Sequence, residues 1–318
     1  MKKLRLGETG NNEFEVEAEE LAELVDNEMG KLIASEPDYV SKHLQYLVKL
    51  GGRRIRSTLA IYACRMLGGK EEDILRFAVS LQLAHNAALL QDDLIDSCRT
   101  RRGEECAYKK FGEGSTIVSG TFWYLKAVEY LAEKEDRPEA VREYLKLLCE
   151  VNRHQALDLE LRGKGIDRDL SEELIKMKAD TNFVMPVKLA CIYTGKKDNR
   201  ILEYAEKLGR AYILKDYLLD IEESDSGKDA WADLRNNTQN PIYVHSHEGL
   251  PEDEKGGFMK SFRATDVEEI KKYIEKTGSA SHCRELIHRY AQEAYDIATE
   301  YNSEFLQQLA KYASERVR

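Results

Sequence analysis

The chain has 318 residues, 42% of them hydrophobic, and carries 48 Lys+Arg against 58 Asp+Glu, which gives a net charge of −10. This composition is too hydrophobic for a disordered chain, too poor in proline for an all-β chain, and too acidic overall for a general nucleic-acid binder. No apolar run approaches the ~20 residues that a membrane span needs, so we expect no stable insertion into a membrane.

Apolar residues recur every three or four positions along most of the chain, which predicts helices. The spacing is clearest in the segments 14–33, 71–96 and 286–301, and a shorter segment of the same kind ends at the glycine pair 51–52. No dipeptide typical of a β-hairpin lies between alternating apolar residues, so we expect no strands. These patterns predict an all-α protein of roughly ten or more helices.

The domain organisation is predicted from loops and composition. Residues 1–15 should form a flexible N-terminus, and the charged, glycine-containing stretch 245–257 should form a polar loop insert. The segment 265–268 has the spacing of a capping box, which predicts that a helix begins at its threonine and ends near Gly278. Because no change of composition divides the chain, we expect one domain over residues 1–318.

The cysteines and the two termini bear on localisation. The six cysteines contain no C-x-x-C pair, and the N-terminal stretch contains no apolar signal core. Both features are typical of a protein in the reducing cytoplasm, which is where we expect it. The C-terminal Lys311, Arg316 and Arg318 are interpreted as the solvated end of a helix.

An acidic segment with apolar neighbours is the most informative part of the sequence. Asp92 and Asp96 are four residues apart, so on a helix they share one face. Two carboxylates one turn apart can bind Mg²⁺, which can then bridge to a diphosphate. A solvated helix end is the alternative interpretation, but such a face would carry lysine and glutamate partners rather than Ala84, Leu89 and Leu90.

Two groups of arginines lie close to this segment in the sequence. An arginine can bind phosphate oxygens through two parallel hydrogen bonds and keeps its charge at any working pH. Taken alone, each group would be a solvated or salt-bridging patch. Beside a metal-binding motif they indicate two anionic groups, one bound through the metal and one bound directly. The arginines are Arg53, Arg54, Arg56, Arg99, Arg101 and Arg102.

Together, these motifs resemble those of the trans-isoprenyl diphosphate synthases, the polyprenyl synthetase family, from about residue 20 to the C-terminus. The likeness is greatest to the geranylgeranyl diphosphate synthases, with a second aspartate-rich motif that is degenerate here. The matching positions are Gly51 to Arg56, the first aspartate-rich motif Asp92 to Asp96, Arg101 to Gly103, Gln155, Asp158, Lys178, and the second aspartate-rich motif Asp216 to Asp220.

The resemblance implies a fold, a reaction and a cofactor. The fold would be a single-domain helical barrel of the isoprenoid synthase type around a deep apolar cavity, usually in a homodimer. The reaction would be the 1′–4 head-to-tail condensation of isopentenyl diphosphate with an allylic diphosphate, giving a prenyl diphosphate of C20 or longer. It would depend on Mg²⁺, with three ions expected beside the bound diphosphate.

The resemblance also implies roles for individual residues. The expected metal ligands are Asp92, Asp96 and Asp216, which with Lys178 form the catalytic set. The allylic diphosphate would be bound by Arg101 and Lys178, and isopentenyl diphosphate by Arg53, Arg56, His85 and Arg102. Gln155 is expected on the substrate-binding surface.

Side-chain volume bears on the length of the product. Ala87 and Ala88 lie about one turn before Asp92 and are small, which would leave room for a growing chain. Trp123 and Tyr124, on a neighbouring helix, would form a lower floor of the cavity, and simple core packing explains the tryptophan equally well. These residues predict a long product.

Departures from the family pattern are concentrated in the second half. Ala179, Ile213 and Tyr217 stand where the family has a threonine, a glutamine and an aspartate, and Asn237 lies in a segment that has lost a lysine. Because the residues expected to bind isopentenyl diphosphate are intact, we favour a chain-elongating prenyltransferase. The alternatives are an enzyme of the same fold that diverts the allylic cation, as a terpene cyclase or by prenyl transfer to another acceptor, and a weakly active partner subunit.

Overall fold

The computed structural model describes residues 12–133, 137–222 and 230–316. These residues fall into two compact units. The first contains residues 12–133, 137–148 and 183–202, and the second contains residues 149–182, 203–222 and 230–316.

Helices make up nearly all of both units. The first unit contains α1 (Asn12–Ser35), α2 (Asp38–Lys49), α3 (Ile55–Met66), α4 (Glu71–Ile95), β1 (Thr100–Arg101), β2 (Glu104–Glu105), α5 (Ala107–Phe111), α6 (Glu113–Ala132) and α9 (Met185–Thr194). The second contains α8 (Arg168–Ala179), α11 (Ala232–Arg235), α12 (Pro241–Gly249), α13 (Glu252–Arg263), α14 (Val267–Thr277), α15 (Ser279–Glu300) and α16 (Glu304–Glu315). Residues of α7 (Pro138–Leu161), α10 (Asn199–Ile221) and a π-helical turn (Asp180–Val184) belong partly to each.

In the first unit, α4 is the central helix. Phe77, Leu83 and Leu90 of α4 are fully inaccessible to solvent, and the helix packs against α1, α3 and α6. A helix that is apolar on most of its faces is suited to the interior of a large domain. The indole Nε1 of Trp123 in α6 donates a hydrogen bond to the carbonyl oxygen of Val40 in α2 at 3.0 Å. This packing fixes the C-terminal end of α4, where the acidic residues lie.

In the second unit, α10 packs its apolar face into a cluster formed with α12 to α15. Leu214 and Leu218 of α10 are buried in this cluster, together with Phe258 and Phe262 of α13. The two phenylalanine rings are stacked, with centroids 6.2 Å apart. Burial of this face orients the polar residues that lie between the apolar ones on α10.

The predicted helices are confirmed and the protein is all-α. The segments 14–33, 71–96 and 286–301 fall in α1, α4 and α15, and α14 ends at Gly278, which has the left-handed backbone conformation (φ 64°) of a typical C-terminal cap. Of the predicted N-terminal tail, residues 12–15 are helical and residues 1–11 lie outside the described part of the chain. The extent of the domain, residues 1–318, stays a prediction.

The expected loop insert at 245–257 is wrong. Residues of this stretch lie in α12 and α13, separated by a short break before Pro251, which caps α13. The Asn240 side chain accepts a hydrogen bond from the amide N–H of Ile242 at 2.9 Å and caps α12. A Cβ atom at Gly257 would lie 2.8 Å from the Tyr273 hydroxyl, so the glycine in α13 permits close packing against α14 rather than forming a loop.

Two other local predictions are wrong. Asp266, not Thr265, caps α14, and its carboxylate accepts a hydrogen bond from the amide N–H of Glu269 at 3.2 Å. An antiparallel hairpin of β1 and β2 pairs Thr100 with Glu105 where no strand was expected. Among the described helices, none combines the length and the apolar character that crossing a membrane requires.

Candidate active site

The C-terminal turn of α4 carries the first aspartate-rich motif. Asp92 and Asp96 are partly exposed on this turn, whereas Asp93 is only 1% exposed. Both carboxylate oxygens of Asp93 accept hydrogen bonds at 2.7 Å from Nε of Arg101 in β1. Asp93 therefore fixes Arg101, and the other two carboxylates remain the candidates for binding a metal.

Arginines from three elements surround His85 of α4. The Nη1 atom of Arg56 in α3 lies 3.3 Å from Nε2 of His85. Burial lowers the pKa of His85 well below its ordinary value of 6.5, and the charges of Arg56, Arg102, Arg101 and Arg54 lower it further. The ring is therefore neutral beside a concentration of positive charge.

Positive charges in this part of the first unit repel one another. Burial lowers the pKa of Arg102 to about 10, and the charges of Arg101 and Arg54 add to the effect. The guanidinium still carries its charge near neutral pH, but at a cost that a bound anion would relieve. The arginine cluster, defined here as Arg53, Arg56, Arg101 and Arg102, is thus electrostatically suited to diphosphate.

Backbone conformation brings the parts of this cluster together. Arg102 and Gly103, at the tip of the β1–β2 hairpin, have φ angles of 56° and 85°, as a two-residue type I′ turn requires. Gly52 has a φ angle of 147°, which other residues rarely adopt, and the place of its missing Cβ lies 2.9 Å from Nη2 of Arg102, so the loop before α3 runs next to this arginine. Loop, hairpin and α4 therefore meet at one place in the first unit.

Arg54 differs from its neighbours. Its side chain is 2% exposed, and its Nε donates a hydrogen bond to Asp26 of α1 at 2.7 Å. Arg53 and Arg56, by contrast, are partly exposed. The structure thus separates a structural arginine from the two that were predicted to bind substrate.

The carboxylates of α4 fit a magnesium ion that completes its coordination with other oxygens. Within the described residues, no three acidic, histidine or cysteine side chains come together as a metal cage. Mg²⁺ commonly retains several waters and binds through one or two carboxylates plus phosphate oxygens. Asp92 and Asp96, one helical turn apart and next to the arginine cluster, match that donor set.

In the second unit, Lys178 of α8 is in contact with Tyr217 of α10. The Lys178 Nζ donates a hydrogen bond to the Tyr217 hydroxyl at 2.8 Å and lies 4.8 Å from its ring centroid. Burial opposes the charge on Lys178, but the interactions with Tyr217, Asp158 and Asp233 outweigh it and raise the pKa of the lysine. The lysine is therefore held as a cation by a phenol where the family has an aspartate.

The two aspartates of the second motif also accept hydrogen bonds from protein groups. Both carboxylate oxygens of Asp220 accept hydrogen bonds from the backbone at the start of α11, from Ala232 N–H at 3.0 Å and from Asp233 N–H at 3.1 Å. Asp216 accepts a hydrogen bond at 2.6 Å from Nη2 of Arg316, which follows α16. Arg316 is 4% exposed at the side chain, so its interpretation as a solvated helix end is wrong.

The remaining residues predicted for the site lie on α7, α4 and α6. Gln155 is partly buried on α7, one turn before Asp158, whose carboxylate accepts a hydrogen bond from Nη2 of Arg162 at 3.1 Å. Ala87 is fully buried and Ala88 partly exposed on α4. Trp123 is fully buried in α6 through the contact with α2 described above, and its role in the cavity wall stays a prediction.

Tyr124, predicted with Trp123 as part of the cavity floor, lies near the first motif. Burial, and next the charge of Asp92, raise the pKa of Tyr124 in α6, which places this phenol in the electrostatic environment of that motif. The contact of Arg316 with Asp216 was missed by the sequence-based assignment of the site. Its separation of 100 residues from Asp216 leaves no local pattern that could reveal the pair.

Comparison with known proteins places this architecture in a family. The geranylgeranyl diphosphate synthase of Methanosarcina mazei is 26% identical over 82% of this chain and 84% of its own length. A short chain isoprenyl diphosphate synthase of Methanocaldococcus jannaschii is 27% identical over 79% of this chain and 80% of its own length. The solved structure of geranylgeranyl pyrophosphate synthetase from Pyrococcus horikoshii aligns with a TM-score of 0.82 and 25% identity, covering 96% of this chain and 99% of that one. Because the family model described as polyprenyl synthetase matches residues 37–277, the chain belongs to the polyprenyl synthetase family.

Proposed function

We propose that this protein is a Mg²⁺-dependent prenyltransferase that condenses isopentenyl diphosphate with an allylic diphosphate to give a prenyl diphosphate of C20 or longer. The observation that carries the proposal is the arginine cluster beside Asp92 and Asp96 in the first unit. Arginines that repel one another, next to two carboxylates one helical turn apart, suit a substrate that brings a diphosphate and a metal together. Family membership and the curated relatives support the same reaction.

Each group of residues has a distinct part in this reaction. Asp92 and Asp96 would hold the metal, which when bound neutralises the diphosphate leaving group. Asp216, the third expected metal ligand, would share its carboxylate between an ion and Arg316. Lys178 and Arg101 would bind the allylic diphosphate as fixed cations. Apolar surroundings would exclude water from the reacting carbon.

Isopentenyl diphosphate would bind at the arginine cluster with His85. We assign Arg53, Arg56 and Arg102 to its phosphate oxygens, because the repulsion among these cations falls when an anion arrives. His85, neutral in the free protein, would donate or accept one hydrogen bond there without adding another charge. Gln155 is assigned to the substrate-binding surface of α7.

The product length depends on the wall next to Asp92. Ala88 lies one turn before Asp92 on α4, and Tyr124 of α6 lies close enough to sense its charge. We propose that small residues on α4 leave space for a chain of C20 or longer, with Ala87 and Ala88 contributing to the wall. We also assign Trp123 to this wall, although its hydrogen bond to α2 serves core packing.

A second candidate is a same-fold enzyme that diverts the allylic cation. It is favoured by the second unit, where Ala179 and Ile213 are buried apolar residues and Tyr217 has taken the place of a carboxylate. These changes remove polar groups that the family pattern has at the expected site. A weakly active partner subunit is the third candidate.

Product analysis by mass spectrometry distinguishes these candidates. The protein is supplied with Mg²⁺, isopentenyl diphosphate, and dimethylallyl, geranyl or farnesyl diphosphate in turn. A lengthened diphosphate supports elongation and gives the chain length, whereas a hydrocarbon, alcohol or other adduct supports diversion of the cation. No consumption of either substrate supports a partner subunit. Asp92→Asn should abolish turnover, and Asp253→Asn, on the exposed side of α13, serves as the matched control.

We also propose that the protein works as a homodimer in the cytoplasm. The exposed face of α6 carries Ile117, Val118 and Leu125 with 48%, 62% and 66% of their surface accessible. Exposed apolar side chains two turns apart on one helix are suited to burial against a second copy. All six cysteines are free thiols, in keeping with a reducing compartment.

A further inference from the structure

The C-terminal segment supplies a cation to the second aspartate-rich motif. Arg316 donates hydrogen bonds from Nη2 to the carboxylate of Asp216 at 2.6 Å and to the backbone carbonyl of Tyr212 at 2.9 Å. Its guanidinium carbon also lies 3.8 Å from the ring centroid of Tyr212. A carboxylate, a carbonyl and an aromatic face thus bind one side chain that is only 4% exposed.

The charges around Asp216 are already balanced by the protein. Burial opposes the charge of Arg316, but Asp216 and Tyr212 outweigh it and raise the pKa of the guanidinium. Lys215 precedes Asp216, and among the charges that act on it are those of Arg284 and Arg316. A divalent cation arriving at Asp216 would therefore meet the positive charge of a guanidinium already in contact with the carboxylate.

Two other residues of the second aspartate-rich motif are also hydrogen-bonded to protein groups. Both oxygens of Asp220 accept backbone hydrogen bonds from α11, and position 217 is a tyrosine bound to Lys178. Asp216 is 51% exposed at its side chain, so it can still reach a ligand, but it does so with Arg316 attached. In this chain the second motif is bound mainly by protein groups.

We propose that Arg316 is a positioning residue for Asp216 and its resident counter-ion, so that a metal ion at Asp216 is weakly bound. The inference rests on the proposed function, since it concerns the same metal-assisted site. The physical reason is direct. A guanidinium in contact with a carboxylate lowers the attraction of that carboxylate for a second cation. Removal of the arginine should therefore strengthen metal binding at Asp216.

Binding of Mn²⁺ to the full-length protein, measured by electron paramagnetic resonance with inorganic diphosphate present, tests the inference. Arg316→Gln should lower the dissociation constant of the weakest class of ion by about tenfold, a change of the size expected for loss of a close like charge. Lys311→Gln removes a positive charge from an exposed position on α16 and should bind Mn²⁺ as the wild type does. The double variant Arg316→Gln, Asp216→Asn should lose the gain.

Asp216→Asn in the wild-type background keeps the test decisive if Arg316→Gln does not fold. It should leave the tightly bound ions unchanged, because those are assigned to Asp92 and Asp96. Loss of a tightly bound ion in Asp216→Asn, or unchanged binding in a folded Arg316→Gln, overturns the inference. Asp92→Asn reports on the proposed function separately, because unchanged Mn²⁺ binding in that variant would contradict the metal site itself and not the role of Arg316.

Discussion

At the scale of single residues, the protonation state of His85 follows from its neighbours. The ring lies beside Arg56 and close enough to three further arginines for their charges to lower its pKa, after burial as the largest cause. A neutral imidazole can accept a hydrogen bond from Arg56, whereas an imidazolium would repel it. We therefore expect His85 to remain neutral in the substrate-free protein at neutral and mildly acidic pH.

This state predicts a specific pH dependence of stability. In the unfolded chain a histidine takes up a proton as the pH falls through about 6.5, while the folded protein resists protonation of His85. The free energy of unfolding should then fall with decreasing pH by up to about 1.4 kcal/mol per pH unit from this residue, and there should be no contribution above that range. Urea unfolding near pH 7.5 and about pH 5.5 should show a smaller loss in His85→Gln than in wild type.

His288→Gln is the matched control for this measurement. His288 is exposed on α15 and lies in the second unit, so its removal leaves the arginine cluster intact. We expect the control to lose stability on acidification as the wild type does. Equal acid sensitivity of His85→Gln and wild type would show that His85 takes up its proton as readily when folded as when unfolded.

The arginines show what a sequence can establish at this scale. The first aspartate motif and the arginine groups were recognisable because residue type and short spacing define them. The difference between Arg54 and Arg56 was not recognisable, because it depends on Asp26, which lies 28 residues from Arg54. Arg316 is the stronger case, since burial on Tyr212 and Asp216 arises only after the chain has folded.

At the scale of elements, the short β1–β2 hairpin positions two arginines with few residues. Arg101 is fixed by Asp93, and Arg102 stands at the turn with φ 56° before Gly103 with φ 85°. Glycine adopts this left-handed conformation without steric cost, whereas other residues do not. The direction of Arg102 thus depends on a backbone conformation that Gly103 stabilises.

Two glycine-to-alanine substitutions should have opposite effects. Gly103→Ala adds a Cβ where nothing lies within 4 Å, so its cost of about 1 kcal/mol comes from the positive φ alone. Gly30→Ala lies in α1, where alanine is the better helix former, and should stabilise the protein by up to about 1 kcal/mol. Gly103→Ala should also raise the KM for isopentenyl diphosphate several-fold, because Arg102 is displaced.

Thermal unfolding and steady-state kinetics check this pair. The Gly30→Ala variant should keep the wild-type KM, since α1 contributes no proposed ligand of the substrate. If Gly103→Ala matched the wild type in both stability and KM, the turn would have no part in placing Arg102.

The elements that were predicted wrongly share a physical cause. The strands β1 and β2 have two residues each, too few for any alternation of apolar and polar residues to be visible. The stretch 245–257 was interpreted as a loop because of its charge and glycines, yet Phe258 and Phe262 anchor α13 in the core just beyond it. Long helices such as α1 and α4 were predicted correctly because the recurrence of apolar residues every three or four positions is visible locally.

At the scale of the whole molecule, the two compact units differ in how closely their site residues match the family pattern. The first unit keeps the residues assigned to isopentenyl diphosphate and the first aspartate motif, close to one another in its fold. The second keeps Lys178 and Asp216 but surrounds them with Tyr217 and Arg316. The residues proposed to bind isopentenyl diphosphate thus belong to the first unit, and the metal ion proposed to be weakly bound belongs to Asp216 of the second.

The exposed face of α6 leads to a prediction about assembly. Val118 and Leu125 have 62% and 66% of their surface accessible, and α6 is otherwise packed against α2, α4 and α5. Burial of such side chains in a dimer would contribute about 25 cal/mol for each Å² of apolar surface removed from water. A charge placed at the centre of that face would be buried without a partner, which is costly.

Val118→Asp should therefore convert the proposed homodimer to a monomer, and size-exclusion chromatography with light scattering would detect the halved mass. Val16→Asp is the matched control, because Val16 is 53% exposed on α1, in a different part of the same unit. The control should remain dimeric and fold as the wild type does. A dimeric Val118→Asp protein, or a wild-type protein that is monomeric at micromolar concentration, would exclude this face of α6 as the subunit interface.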